Sequence, residues 1–213
     1  MTATTSDART MAKRAAFAAA TVAVLPFLLS YRVRALVLGA NRALEGSTQL
    51  LSLVPGVLGQ YLRRAFLARV LRRCDSSVTI EFGTILSKTE AILDENVYVG
   101  PRCHLGLVHL ERNVLLAGGV HIPSGGRTHG SDDLLVPMRD QAGSRQMVRI
   151  GEGTWVGSAA VVMADVGADT IVGAGAVVTA ALPPRVVAGG VPARVLRSRV
   201  PPATEGRSVQ QAG

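Results

Sequence analysis

Among side chains that move protons or hold metals, this sequence offers four histidines and two cysteines in unlike settings. His129 lies in Ser124-Gly125-Gly126-Arg127-Thr128-His129-Gly130, where the flanking glycine favours an exposed, irregular backbone. An imidazole so placed can act as a general base, although a lone loop histidine also reads as a bystander. His104 and His109 are five residues apart, and imidazoles are common zinc ligands. A third imidazole is needed on an adjacent rung, and no histidine occurs upstream of His104. Cys74 and Cys103 form neither a metal nor a redox pattern.

The element that could hold such groups is a repeat. An apolar residue returns every sixth position at Ile150, Val156 and Val162 and, after a slip of four, at Val166, Val172 and Val178. Glycine directly follows four of them (Gly151, Gly157, Gly167, Gly173), and a small residue stands four places after the same four (Thr154, Ala160, Thr170, Ala176). An earlier stretch runs Leu93, Val99, Leu105 and, one slip later, Leu110, Leu116, Ile122. A period of six is neither the 3.6 of a helix nor the two of a half-buried strand. It fits short strands joined at regular corners, each giving one aliphatic side chain to a shared axis. Glycine then permits close approach or positive φ, and Cys103 reads as a small corner residue. His104 and His121 fall on outward positions, and His109 falls at a slip. Aromatics at 4% suit a narrow aliphatic core.

Between Ile122 and Ile150 the rhythm stops. The segment 123–149 is rich in Ser, Gly, Asp and Arg and too long for a corner. Long irregular excursions from rigid scaffolds are where function concentrates, and this one carries His129.

The net charge of +8 is uneven: residues 1–75 carry eleven Lys/Arg against three Asp/Glu, while residues 76–213 carry twelve of each. The basic part is also apolar. Residues 15–30 contain no charge and are bracketed by Lys13, Arg14, Arg32 and Arg34. That run is interrupted by Pro26 and is short of the about 17–25 residues that a spanning helix needs. No small-x-small cleavage site follows it. The stretch Gln60–Arg73 predicts a helix with Leu62, Phe66 and Val70 on one face, flanked by five arginines that can snorkel beside headgroups or cover a protein surface. Three readings stand for residues 12–73: attachment to an anionic membrane surface, helices packed on the solenoid or between subunits, and nucleic-acid binding. No motif supports the last, and no nucleic acid is expected. Residues 1–11 and the tail after Val200 are polar and expected to lack fixed structure.

The motifs in order resemble the hexapeptide-repeat acyltransferases, in the branch of galactoside, maltose and streptogramin O-acetyltransferases. Ile150-Gly151-Glu152-Gly153-Thr154-Trp155-Val156-Gly157-Ser158 is similar to that family's tryptophan-containing rung. Val172-Gly173-Ala174-Gly175-Ala176-Val177-Val178-Thr179 is similar to its last full rung, and Val187–Arg197 to its closing segment. Similarity covers residues 78–199. The N-terminal third, with Leu51-Ser52-Leu53-Val54-Pro55-Gly56, more weakly resembles acetyltransferases of bacterial surface-polysaccharide synthesis.

The resemblance implies a mainly β fold, a left-handed parallel β-helix with an N-terminal helical, apolar and basic extension. Its parts are the extension (1–75), the solenoid (76–190, with the excursion 123–149) and a closing segment and tail (191–213). It also implies a homotrimer with each active site between neighbouring β-helices, acetyl-CoA as acyl donor, a sugar or glycan acceptor and no metal. His129 takes the general-base position, Trp155 a wall of the cleft, and Ser158, Ala174 and Thr179 the pantetheine channel. Arg194 and Arg197 take the nucleotide phosphates, for which guanidinium is well suited. As plain residues, the three channel positions also read as small rung residues and the arginines as solvated charges. Relative to the galactoside type, the stretch from Ile122 to His129 is about two residues longer, and Gly130 stands where proline is usual. The acceptor side is therefore not transferable; Arg127, Asp132 and Asp133 are neighbours that could contact it. The expected location is cytoplasmic, at the inner face of the cell membrane. The alternatives are N-acetylation of an amino sugar, a zinc hydratase of the gamma-carbonic-anhydrase type built on His104 and His109, and a non-catalytic scaffold.

Overall fold

A computed structural model describes the backbone of residues 3–200; the expected unstructured tail after Val200 lies outside the described residues. The fold is mainly β, a left-handed parallel β-helix behind an N-terminal helical extension. Its strands form three faces. The first face stacks β1 (Arg73–Cys74), β4 (Ile92–Leu93), β7 (Val108–Leu110) and β10 (Val148–Ile150). The second stacks β2 (Thr79–Ile80), β5 (Tyr98–Val99), β8 (Leu115–Leu116), β11 (Trp155–Val156), β13 (Ile171–Val172), β15 (Val186–Gly189) and β16 (Arg194–Ser198). The third stacks β3 (Ile85–Leu86), β6 (His104–Leu105), β9 (His121–Ile122), β12 (Val161–Val162) and β14 (Val177–Val178). All pairings are parallel except β15 with β16.

The six-residue beat is the inner column of this prism. All twelve repeat aliphatics, from Leu93 to Val178, are buried. The small residues four places on are buried as well, because corners turn their side chains inward. Two of them also tie coils together: the Thr154 hydroxyl donates to the Gly167 carbonyl at 2.9 Å, and the Thr170 hydroxyl to the Pro183 carbonyl at 2.9 Å. A buried hydroxyl needs such a partner.

None of the four repeat glycines has positive φ, and three of them, Gly151, Gly157 and Gly167, serve close approach. A Cβ on Gly157 would lie 2.5 Å from the Ala174 nitrogen and 2.9 Å from its Cα, both backbone atoms of the next coil. On Gly173 the nearest atom would be 3.5 Å away. Gly157→Ala is therefore expected to cost about 1–3 kcal/mol by forcing coils apart. Gly173→Ala should cost far less, and paired urea titrations read the difference.

Four helices precede the prism: α1 (Ala3–Ala23), α2 (Leu25–Leu38), α3 (Ala40–Ser52) and α4 (Gly56–Val70). Helix α1 begins at Ala3, so the opening segment expected to be unstructured is helical from that residue; its alanines and methionine are good helix formers. The apolar run breaks at Val24, and Pro26 sits in the first turn of α2, where its missing N–H is harmless. Helix α4 starts after Pro55 and stops at Val70, four residues before Gln60 and three before Arg73, the expected bounds. The stop has a cause: the Arg72 N–H already pairs with the Thr89 carbonyl and draws the chain into the solenoid.

Helices α3 and α4 close the lower end of the prism. Leu44, Leu51, Phe66 and Leu67 join the same apolar core as the coils. The open strand edge is satisfied by side chains, as an exposed end repeat requires. Thr48 Oγ donates to the Leu86 carbonyl at 3.0 Å, and the Gly83 N–H donates to the Ser52 carbonyl at 2.9 Å. Arg63 corrects the expectation that the arginines flank the apolar face. It is fully buried and donates to the carbonyls of Ile80 (2.9 Å), Leu51 (3.2 Å) and Val54 (2.7 Å). At the upper end the antiparallel strand β16 covers β15.

Candidate active site

The excursion leaves the third face after Ile122 and returns at β10. Its base is pinned: Ser124, nearly buried, accepts the Leu107 N–H at 2.9 Å, and the Gln146 N–H donates to the Ser124 carbonyl at 2.9 Å. Higher up, the Ser144 N–H donates to the Arg127 carbonyl at 2.8 Å. The two limbs then cross beside His129. A Cβ on Gly143 would meet the Thr128 carbonyl oxygen at 2.3 Å, and one on Gly130 the Ala142 oxygen at 2.7 Å. Glycine is thus required on both sides of the histidine, and the ring is delivered by a braced loop.

His129 is exposed and lines an open hollow with Arg127, Asp132 and Ser144. Among the described residues its ring accepts or donates no hydrogen bond, so both nitrogens are open to an incoming group. Asp133 is turned away: its Oδ1 caps the Leu135 N–H at 2.8 Å. Arg127 also lines an adjoining hollow that runs down to Met163, Asp165 and Thr179. His129 and Thr179 thus line two neighbouring hollows that share Arg127.

The other expected cofactor residues lie elsewhere. Ser158 and Ala174 stack at the opposite edge of the third face, where the Gly175 N–H donates to the Ser158 carbonyl at 2.8 Å. Both are exposed. Trp155 stands on the second face, 49% exposed, in register with Leu115 and Ile171. Arg194 and Arg197 are on β16 above the same face, exposed, and among the described residues their guanidiniums donate to the carbonyls of Ala193 and Ser198 alone. One chain alone does not gather these residues round His129.

The remaining histidines have structural roles. His109 on the first face pairs with Asp94 at 2.8 Å, whose other oxygen lies 3.2 Å from Arg73. His104 and His121 stack on the third face with centroids 5.0 Å apart and planes 4° apart. The two imidazoles that suggested zinc therefore sit on different faces, and no cluster of three or more His, Cys, Asp or Glu able to share a metal occurs among the described residues.

The histidine stack has a pH consequence. Burial, and then the neighbouring His104, hold the His121 imidazole below its usual value of 6.5. The unfolded chain then binds the proton more readily than the folded one. Stability is full above about pH 6.5 and falls as pH drops from there towards the depressed value. Thermal melting of the wild type should decline between pH 7 and 5 more steeply than that of His121→Asn. Equal slopes would remove the stack as the cause.

No protein-family model matches the chain. It is 37% identical over 73 residues to a Mycobacterium tuberculosis protein named "Probable acetyltransferase Rv3034c", covering 33% of this chain and 24% of that one. It is 46% identical over 52 residues to the galactoside O-acetyltransferase of Escherichia coli, covering 24% and 26%. The chain spans only about a quarter of the length of these two curated relatives. Among solved structures, a maltose O-acetyltransferase from Clostridium difficile superposes with a TM-score of 0.63 at 21% identity, covering 72% of this chain and 83% of that one. A galactoside acetyltransferase in complex with coenzyme A superposes with a TM-score of 0.52 at 20% identity, covering 81% and 82%. At those identities the superpositions speak for the fold, and the shorter matches speak for the sequence. In its six-residue repeat, its coil and these matching segments, the solenoid is similar to the hexapeptide-repeat acyltransferases.

Proposed function

We propose that this protein moves the acetyl group of acetyl-CoA to a hydroxyl of a sugar or surface-polysaccharide precursor, with His129 as general base. The observation that carries the reading is His129 itself: an exposed imidazole with open nitrogens, held on a braced loop beside a cationic and an anionic side chain. In the reaction the ring accepts the acceptor's O–H proton while that oxygen attacks the thioester carbonyl. The tetrahedral intermediate collapses, the C–S bond breaks, and the leaving sulfur takes the proton back from the imidazolium. Backbone N–H groups are the natural donors to the transient oxyanion. Binding of coenzyme A by the galactoside acetyltransferase supports the choice of donor.

A homotrimer completes the site in this reading. Leu134 and Leu135 at the excursion tip are each 95% exposed, an unusual position for paired leucines. The second face carries an outward apolar row of Tyr98, Leu115 and Trp155. Packing the tip and this row against neighbouring copies would bring Trp155 and the β16 arginines to another chain's His129 loop. Sedimentation equilibrium is expected to give three times the chain mass, and Leu134→Asp with Leu135→Asp to give monomers without activity.

We propose further that the enzyme works at the inner face of the cell membrane. Leu25, Leu29, Val33 and Leu36 form an outward stripe on α2, and the basic excess lies in the same third of the chain. No single described helix is long and apolar enough to cross a membrane, though the pair Arg14–Ala23 and Leu25–Leu38, bent by 45°, passes together. Lying on the surface suits that geometry. The activity is tested by CoA release from acetyl-CoA across a panel of hydroxyl and amino sugars. Release with hydroxyl acceptors is expected; release with amines alone would favour N-acetylation.

A further inference from the structure

A further hollow, sharing no lining residue with those beside the His129 loop, lies between α1, α4 and the first coil. Its cationic lining is Arg14 and Arg64, its apolar lining Phe17 and Val57, and Ser76 and Thr79 complete it. The Arg64 guanidinium is held between two rings, 4.8 Å from the centroid of Phe17 and 4.9 Å from that of Tyr61. That clamp fixes the cation without neutralising it. Its Nε is buried and has no hydrogen-bond partner among the described residues, an unusual state for a buried donor.

The nearby groups do not supply the missing anion. Among the described residues neither Arg14 nor Arg64 is in an ion pair. Asp75 Oδ1 is occupied by the N–H and hydroxyl of Ser77, at 2.8 and 2.6 Å. Glu81 accepts from Gln60 at 2.8 Å. Burial pushes the Cys74 thiol up to about 12, so it carries no charge at neutral pH. Two guanidiniums without an ion-pair partner among the described residues, Arg64 feeling Asp75 only from beyond ion-pair distance, therefore share a hollow with an aromatic ring and an aliphatic side chain.

We propose that this hollow binds the phosphate of an amphiphile, the guanidiniums taking the phosphate oxygens and Phe17 and Val57 the start of the apolar chain. Guanidinium is the side chain best matched to phosphate, and a carbon chain leaving the site would run onto exposed Val57 and Leu58. The site is separate from the acetyl-transfer reading, since binding needs neither acetyl-CoA nor His129.

Calorimetry with dodecyl phosphate below its micelle concentration tests it on the full chain, with inorganic phosphate and dodecyl maltoside as comparisons. Dodecyl phosphate is expected to bind at least about tenfold more tightly than either, because only it uses both halves of the hollow. Arg14→Gln and Arg64→Gln should each weaken it by about fivefold or more, while Arg42→Gln on the exposed start of α3 should leave it unchanged. Arg64→Lys, which keeps the charge but not the planar fork, should bind more tightly than Arg64→Gln and more weakly than the wild type. Equal binding of dodecyl maltoside would reduce the site to a greasy surface, and equal binding of inorganic phosphate would remove the amphiphile. An equal loss in Arg42→Gln would reduce it to general charge attraction. Any of the three overturns the proposal. Should Arg64→Gln fail to fold, Arg14→Gln, at an exposed position, decides alone.

Discussion

Replacing His129 with alanine is expected to lower kcat for acetyl transfer by about 10²–10⁴-fold, the usual worth of a positioned general base. The KM for acetyl-CoA should change little, because the residues expected to hold the donor, Ser158, Ala174, Thr179, Arg194 and Arg197, are untouched by the substitution. The fold should be unaffected, since the ring is exposed and makes no hydrogen bond among the described residues. A mutation that removes only a transition-state interaction lowers kcat and kcat/KM together. A rise in KM alone would assign His129 to binding. His129→Gln separates the roles further: the amide can hydrogen-bond an acceptor but cannot take its proton, so it should be nearly as slow as alanine.

The second large effect is on stability. Arg63→Met should destabilise the protein by about 3 kcal/mol, because the buried Ile80 and Leu51 carbonyls and the half-buried Val54 carbonyl lose a charged donor at once, and an unsatisfied buried group costs about 1–3 kcal/mol. Removing the charge recovers part of this, as burial already pushes the Arg63 guanidinium below its ordinary value. The orphaned carbonyls outweigh that gain, because methionine offers them nothing. For a chain of this size the loss corresponds to a fall in Tm of roughly 6–12 °C. Arg72→Met is the comparison: its ion pair with Glu90 is exposed on both sides, and such pairs are worth about 0–1 kcal/mol. Similar losses for the two variants would mean that Arg63 does not hold the helices on the prism.

The inner column of the solenoid was legible because its physics is local and periodic. One aliphatic per rung and one small residue per corner must recur wherever coils stack, and every residue of that column is buried. The break between Ile122 and Ile150 was legible for the same reason, and it located the His129 loop. What escaped depends on coil length, which varies from sixteen residues (Val161 to Val177) to nineteen (Ile85 to His104). His104 and His121 are seventeen apart and one coil apart, so counting coils instead of rungs would have predicted their stack. Asp94 stands two residues past Ile92, the coil partner of His109, so that pairing is a diagonal contact that coil counting alone does not give.

The helical extension was harder to read because an arginine gives no sign of whether it meets solvent, lipid or backbone carbonyls. Arg63 and Arg64 are adjacent, yet one is buried against three carbonyls and the other is clamped between two rings. Only the tertiary position of α4 separates them. Leu134 and Leu135 did carry a sequence signal, as the one aliphatic pair inside a polar excursion.

The most direct test of acetyl transfer by a loop histidine is the mass of a sugar acceptor after incubation with acetyl-CoA and enzyme. The account predicts an acetyl adduct with the wild type, base-labile as an ester should be, and almost none with His129→Ala. An unmodified acceptor across the hydroxyl and amino panel, or equal adduct from both proteins, would contradict it.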